Sequence, residues 1–309
     1  MATATTYQKL SWAGIIITVI GSLFFSTKAV IVKFTFSKTE IDAVSLLAIR
    51  MLFSLPFYIA AAWFVSSKKD NIKLTRKQWF AIIGLGLFGY YLSSLFDFMG
   101  LKYISAGLER LILFLYPTFS VLINAAVFKE KISKLQRIAL LLTYSGILIA
   151  YIGELTIDTH NPGFFLGSFL IFLCAITFAI YIVGSGKMVQ TVGVTKFTAY
   201  AMLASTVGVF THFLLAGNYE ILHRSSEFIW YGLLLAVVAT VIPSFLISAG
   251  MKKIGSNNVA IISSIGPVST ILQAHFILNE PIFMAQVIGT LLVISGVVLI
   301  GWKYKSAVE

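Results

Sequence analysis

Charged side chains are scarce in this chain: 12 acidic and 23 basic residues in 309, or 11% of the total. A soluble domain carries about 25%, so a soluble globular fold is excluded. One cysteine, Cys174, excludes an intrachain disulfide and says little about compartment. The four histidines fall in no recurring ligand spacing, so neither a metal nor a cofactor is expected. No His/Asp/Glu cluster sits in a loop where a catalytic site could be built, so the chain does not read as an enzyme.

What is abundant is apolar length. Hydrophobic residues make up 58% of the chain, and the mean hydropathy is +0.92. A formal charge of +11 would suggest nucleic acid in a soluble protein. Here basic residues gather in loops on one side of a bilayer, so lipid, not nucleic acid, is the expected partner. The apolar run from Trp12 past Val30 is too long for a signal peptide and lacks a small-residue cleavage site.

The chain also repeats itself. Gly100, Lys102, Ile104, Pro117, Leu122, Glu130, Gln136, Ser145 and Gly146 recur 150 residues later as Gly250, Lys252, Ile254, Pro267, Leu272, Glu280, Gln286, Ser295 and Gly296. A span needs about 20 apolar residues to cross a hydrocarbon core about 30 Å thick. On that rule the first repeat holds helices near Ser11–Lys33, Ala43–Val65, Gln78–Phe98, Ser105–Val127 and Lys134–Gly153. The second holds Phe164–Gly184, Lys196–Ala216, Phe228–Gly250, Ser256–Ile277 and Ile282–Trp302. The fold expected is all-α and integral to the membrane, with units 1–155 and 156–309 joined near Gly163. Five spans per unit invert one against the other, and carriers built this way bind their cargo between the halves.

With the N-terminus in the cytoplasm, one face receives 16 basic loop residues, including Lys68, Lys69, Lys73, Lys129, Lys187, Lys196 and Lys252. The other receives four: Lys33, Lys38, Lys102 and Arg224. That bias predicts both termini inside.

The stretch Gly100–Ser133, GLKYISAGLERLILFLYPTFSVLINAAVFKEKIS, and its partner Gly250–Phe283, GMKKIGSNNVAIISSIGPVSTILQAHFILNEPIF, carry a recognisable pattern. A loop enters a helix with a mid-helix proline, a Glu ends that helix, and Gln and Gly follow in the next. Both copies resemble the EamA branch of the drug/metabolite transporter superfamily. That resemblance implies a ten-helix, 5+5 inverted-repeat carrier in a bacterial inner membrane, working by alternating access. It implies a small polar metabolite as cargo, an amino acid or related compound, moved outward. The rival reading is an exchanger for organic anions or phosphorylated metabolites. The copies differ where Glu109-Arg110 and Tyr116 become Val259-Ala260 and Gly266, so a site between them is not a symmetric duplicate.

Ionisable residues inside spans are costly and mark sites by default. Lys28, Arg50, Asp97, Glu109 and Arg110 fall in the outer third of the bilayer, with Gln273, His275 and His212 at similar depth. This predicts a polar chamber open to the outside. Asp97 and Glu109 read equally as interfacial partners for Lys28 and Arg110. Three cations against two carboxylates leave one positive charge for a carboxylate or phosphate on the substrate. Glu109 and Arg110 point about 100° apart, so one faces inward while the other bonds a neighbouring helix.

Tyr90, Ser94 and Asp97 form one polar stripe, and Tyr116 and Asn124 are further cavity candidates. Pro117 and Pro267 free carbonyls in mid-helix and read as paired hinges or as fixed curvature. Glu130 and Glu280, at helix ends, read as structural bonds to neighbouring backbone or a basic residue. Coupling to protons through His212, His275, Asp97 or Glu109, or to a counter-substrate, is open on the sequence alone.

Overall fold

A computed structural model describes residues 11–67, 73–128, 134–157, 161–218 and 227–306. Its described residues form ten helical rods and no strand: α1 Trp12–Lys38, α2 Ala43–Ser66, α3 Arg76–Gly100, α4 Ala106–Val127, α5 Lys134–Ile157, α6 Phe164–Val192, α7 Val194–Ala216, α8 Ile229–Gly255, α9 Asn258–Leu278 and α10 Met284–Ser306. Nine are long and apolar enough to cross a membrane, and the apolar part of α10, Met284–Leu299, is shorter. Large apolar side chains turn outward around the bundle, with Phe80 and Leu215 about four-fifths exposed (76% and 81%). Lipid is the solvent that makes such a surface stable.

Local chemistry sets several helix starts. Gly14 N–H donates to Ser11 Oγ at 3.0 Å, and Val44 and Ser45 N–H donate to Asp42 Oδ1 at 2.9 Å. Thr75 and Gln78 form a reciprocal capping box ahead of α3. Two connections are single residues in effect: Gly193 (φ 88°) joins α6 to α7, and Gly255 (φ 79°) ends α8 just before α9. A side chain is strained at those angles. Sequence reading stopped α6 at Gly184 and α1 at Lys33; they run on to Val192 and Lys38. Lys196, expected in a loop, is buried in the first turn of α7.

The two sets of five helices make corresponding contacts. α1 packs on α8 and α9, as α6 packs on α3 and α4. α2 meets α7, and α5 meets α10 along a small-residue seam. A Cβ on Gly146 would lie 2.6 Å from the Gly289 carbonyl, so only glycine allows that approach. The ten-helix inverted repeat expected from sequence is the fold observed.

Irregularities repeat with the helices. α3 contains a π-helical turn at Leu87–Leu92, and α8 one at Val237–Val241, again 150 residues apart. α4 breaks between Leu113 and Tyr116, and α9 between Ile262 and Ile265. Pro117 and Pro267 therefore sit in the first turn of a new segment instead of kinking a continuous helix. A proline's missing N–H costs least there.

Candidate functional site

Both π turns and both helix breaks face a central chamber between the halves. Gly89 and Tyr90 line it from one π turn, Ala239 and Thr240 from the other, Phe114 and Gly266 from beside the breaks. π turns displace the helix register by one residue and often mark functional sites.

One end of the chamber is a layer of charge. Lys28, Arg50 and Arg110 all line it, each at most 3% exposed. Lys28 Nζ is 2.9 Å from Asp97 Oδ2. Arg110 Nε donates to Thr270 Oγ1 at 3.0 Å and lies 3.8 Å from Glu109 Oε2, while its Nη2 donates to the Phe25 carbonyl at 3.1 Å. Asp97 and Glu109 are fully buried behind this layer and do not line the chamber. Arg50 differs from the other two cations. Its Nη2 donates to Ser94 Oγ at 3.0 Å and its guanidinium sits 5.1 Å from the Phe98 ring centre. No carboxylate among the described residues lies within ion-pair distance of it, and its Nε has no acceptor.

Beyond the charges the bundle is shut at the end bearing the Leu101–Ser105 turn. Phe98, Leu101, Ala106 and Leu108 are buried there. Lys33 Nζ donates to the Leu101 and Ile104 carbonyls, and Ser105 N–H donates to Glu154 Oε1 at 3.2 Å. Glu280, at the far end of α9, accepts from the N–H groups of Ala106 and Gly107 at 3.0 and 3.4 Å. A carboxylate at a helix N-terminus satisfies otherwise orphaned donors and the helix dipole. In the other direction the lining continues through Ser22 and Ser263, hydrogen-bonded at 2.8 Å, to Ile247 and Val259 near the Gly255 joint.

The matching family model, described as the EamA-like transporter family, covers residues 12–152 and again 165–302. The chain belongs to the EamA-like transporter family. Among its relatives, an uncharacterized transporter, YcbK, of Bacillus subtilis (strain 168) is 32% identical over 283 residues, covering 90% of this chain and 89% of that protein. An uncharacterized transporter of Archaeoglobus fulgidus is 25% identical over 268 residues, covering 84% and 88%. A protein of known crystal structure shares the fold with a TM-score of 0.68 at 19% identity, over 95% of this chain and 98% of that one.

In this EamA-like transporter the chamber collects five of the sequence candidates: Lys28, Arg50, Arg110, Tyr90 and Tyr116. Glu109 and Arg110 divide their roles, with only the arginine facing inward. Two candidates lie off the chamber lining. Gln273 is half-buried and donates to Ser269 Oγ at 2.8 Å on its own helix; His275 is exposed and contacts the Glu280 carbonyl at 2.9 Å. Depth had suggested both, but azimuth decides. Thr270 faces Arg110, and His275, five residues on, is rotated about 140° from it. His212 contacts Tyr91 at 3.1 Å in a separate crevice lined by Ile83, Leu87 and Val207. The expected opening lies beside the charges, where Phe98 and Leu101 are fully buried. The Asn124 side chain and Glu130 lie outside the described residues.

Sequence reading missed the aromatic wall. Phe25, Phe114, Phe178 and Tyr181 line the chamber together with Tyr90 and Tyr116. Ser22, Ser26, Thr240 and Ser244 were missed too. Their one signal was polarity inside apolar helices, diluted by many hydroxyls that bond only their own backbone, such as Thr35 and Thr206.

Proposed function

We propose that this membrane transporter is a secondary carrier for small organic anions, loaded in the central chamber and moved by alternating access. One observation supports this most strongly: three basic side chains line the chamber and no acidic one does. Arg50, with an unpartnered Nε, is the primary anion contact, while Lys28 and Arg110 add field from behind their own partners. A guanidinium presents two parallel donors that match a carboxylate. The amino-acid reading has less support, because an ammonium group would meet cations and hydroxyls but no carboxylate. Exchange of organic anions fits the lining better.

The proposal places the carrier in a bacterial inner membrane with both termini cytoplasmic, following the basic-loop bias. The shut end then faces outside, and the chamber leads toward the cytoplasm, which suits cytoplasmic loading and outward release. The breaks beside Pro117 and Pro267 are the proposed hinges, since each divides its helix at mid-bundle. The halves 1–155 and 156–309 are the proposed rocking units.

Thermal unfolding of the purified protein with small anions, cations and zwitterions at matched ionic strength tests this. Ligand binding to the native state raises the midpoint. Anions should raise it in the wild type and fail to do so in folded Arg50→Gln. A rise with zwitterions or cations alone would refute the anion reading.

A further inference from the structure

The charge count and the shape of the chamber together narrow the anion. We infer that the substrate is a flat aromatic monocarboxylate, neither a zwitterion nor a dianion; this rests on the anion reading and sharpens it.

Lys28 is neutralised by Asp97 at 2.9 Å, and Arg110 faces Glu109 at 3.8 Å. Arg50 has no such partner among the described residues. With Asp97 and Glu109 both ionised, the layer carries one net positive charge inside a bundle where an uncompensated charge is costly. One negative charge on the ligand cancels it. A phosphate monoester would leave one negative charge unpaired, and an amino acid would bring a fourth cation next to three. The contact geometry favours a carboxylate as well. Arg50 Nη2 is held by Ser94 at 3.0 Å while Nε lacks an acceptor, so a planar two-oxygen group completes the side chain.

An aromatic wall adjoins the charge layer. Phe25 stacks on Phe178 with centroids 5.8 Å apart and planes 18° apart, and Phe178 stacks on Tyr181 at 5.8 Å and 27°. Tyr116 meets Phe178 edge-on at 5.0 Å. Phe25 also touches the charge layer, lying 4.9 Å from Lys28 Nζ and 5.4 Å from the Arg110 guanidinium carbon. From α8 and α9 the lining adds Ala239, Thr240, Ser244, Ser263 and Gly266, beside Pro243, Ile247 and Val259. A thin apolar ring laid along the near-parallel rings, its carboxylate at Arg50, matches this lining. Aromatic ligand–ring contact adds stabilisation beyond area burial.

The test is equilibrium binding to the purified full-length protein with five probes: benzoate, cyclohexanecarboxylate, acetate, phenylalanine and phenyl phosphate. Benzoate should bind about tenfold more tightly than cyclohexanecarboxylate, which has the same charge without the flat ring. It should exceed phenylalanine and phenyl phosphate by at least as much. Phe178→Leu should erase the preference for benzoate over cyclohexanecarboxylate while keeping carboxylate binding. Should that variant not fold, Tyr116→Leu serves, and the wild-type ranking decides in any case. Phenyl phosphate or aliphatic carboxylates binding as tightly as benzoate would overturn the inference and leave the anion reading standing. Phenylalanine binding best, or no anion binding at all, would overturn both.

Discussion

Arg50→Met should stabilise the empty carrier or leave it unchanged, whereas Lys28→Met should destabilise it, although both remove a buried cation from the same layer. Arg50 contributes a charge-assisted hydrogen bond to Ser94, a weak one to Met51 Sδ at 3.9 Å, and a ring contact with Phe98 at 5.1 Å. The first and last are worth about 1.5–3 and 0.5–2 kcal/mol respectively. Against them stands the desolvation of an unpaired guanidinium, several kcal/mol per ion. The balance is near zero or in favour of methionine. Removing Lys28 instead strands Asp97, which is fully buried. Breaking a buried pair from one side costs about 3–5 kcal/mol. The two variants should thus differ by at least about 3 kcal/mol, several degrees in unfolding midpoint for a chain of this length. Thermal or denaturant unfolding in detergent, without added anion, reads the difference. If Arg50→Met loses as much stability as Lys28→Met, Arg50 has an anionic partner and the charge count behind the proposal fails.

Asp97→Asn leaves Lys28 as a second unpaired cation, so affinity for phenyl phosphate should rise about tenfold or more relative to benzoate; an unchanged ratio in a binding assay would argue against charge matching. Glu280→Ala removes the acceptor for two N–H groups at the start of α4, which should cost about 1–2 kcal/mol. It should also loosen the shut end, speeding reaction of a cysteine introduced at Ser105 with a membrane-impermeant thiol reagent; equal rates would remove Glu280 from that closure. His275→Ala should leave anion binding unchanged, because the imidazole lies outside the chamber; a loss of binding would reinstate it.

Span count and repeat were legible because apolar length and a fixed 150-residue offset are one-dimensional properties. In-span charges such as Arg50 stood out against an apolar background for the same reason. Azimuth was not legible: Gln273 and His275 lie at a suitable depth yet on other faces of α9. Nor was the pairing that isolates Arg50, since it depends on which helix turns toward which. The π turns gave no warning, because one extra residue in a helical turn changes hydrogen-bond register and leaves hydropathy untouched. Four of the six chamber aromatics, Phe25, Phe114, Phe178 and Tyr181, were hidden among 26 Phe, 13 Tyr and 5 Trp, most of which have no reason to face inward.

The contact between Ala106 and Glu280 joins residues 174 positions apart. Synthesis runs from the N-terminus, so α4 enters the bilayer long before the carboxylate that finishes its first turn has left the ribosome. A nascent chain stalled before residue 280 would hold those amide hydrogens without their final acceptor. That face of the protein is therefore among the last parts to mature during translation.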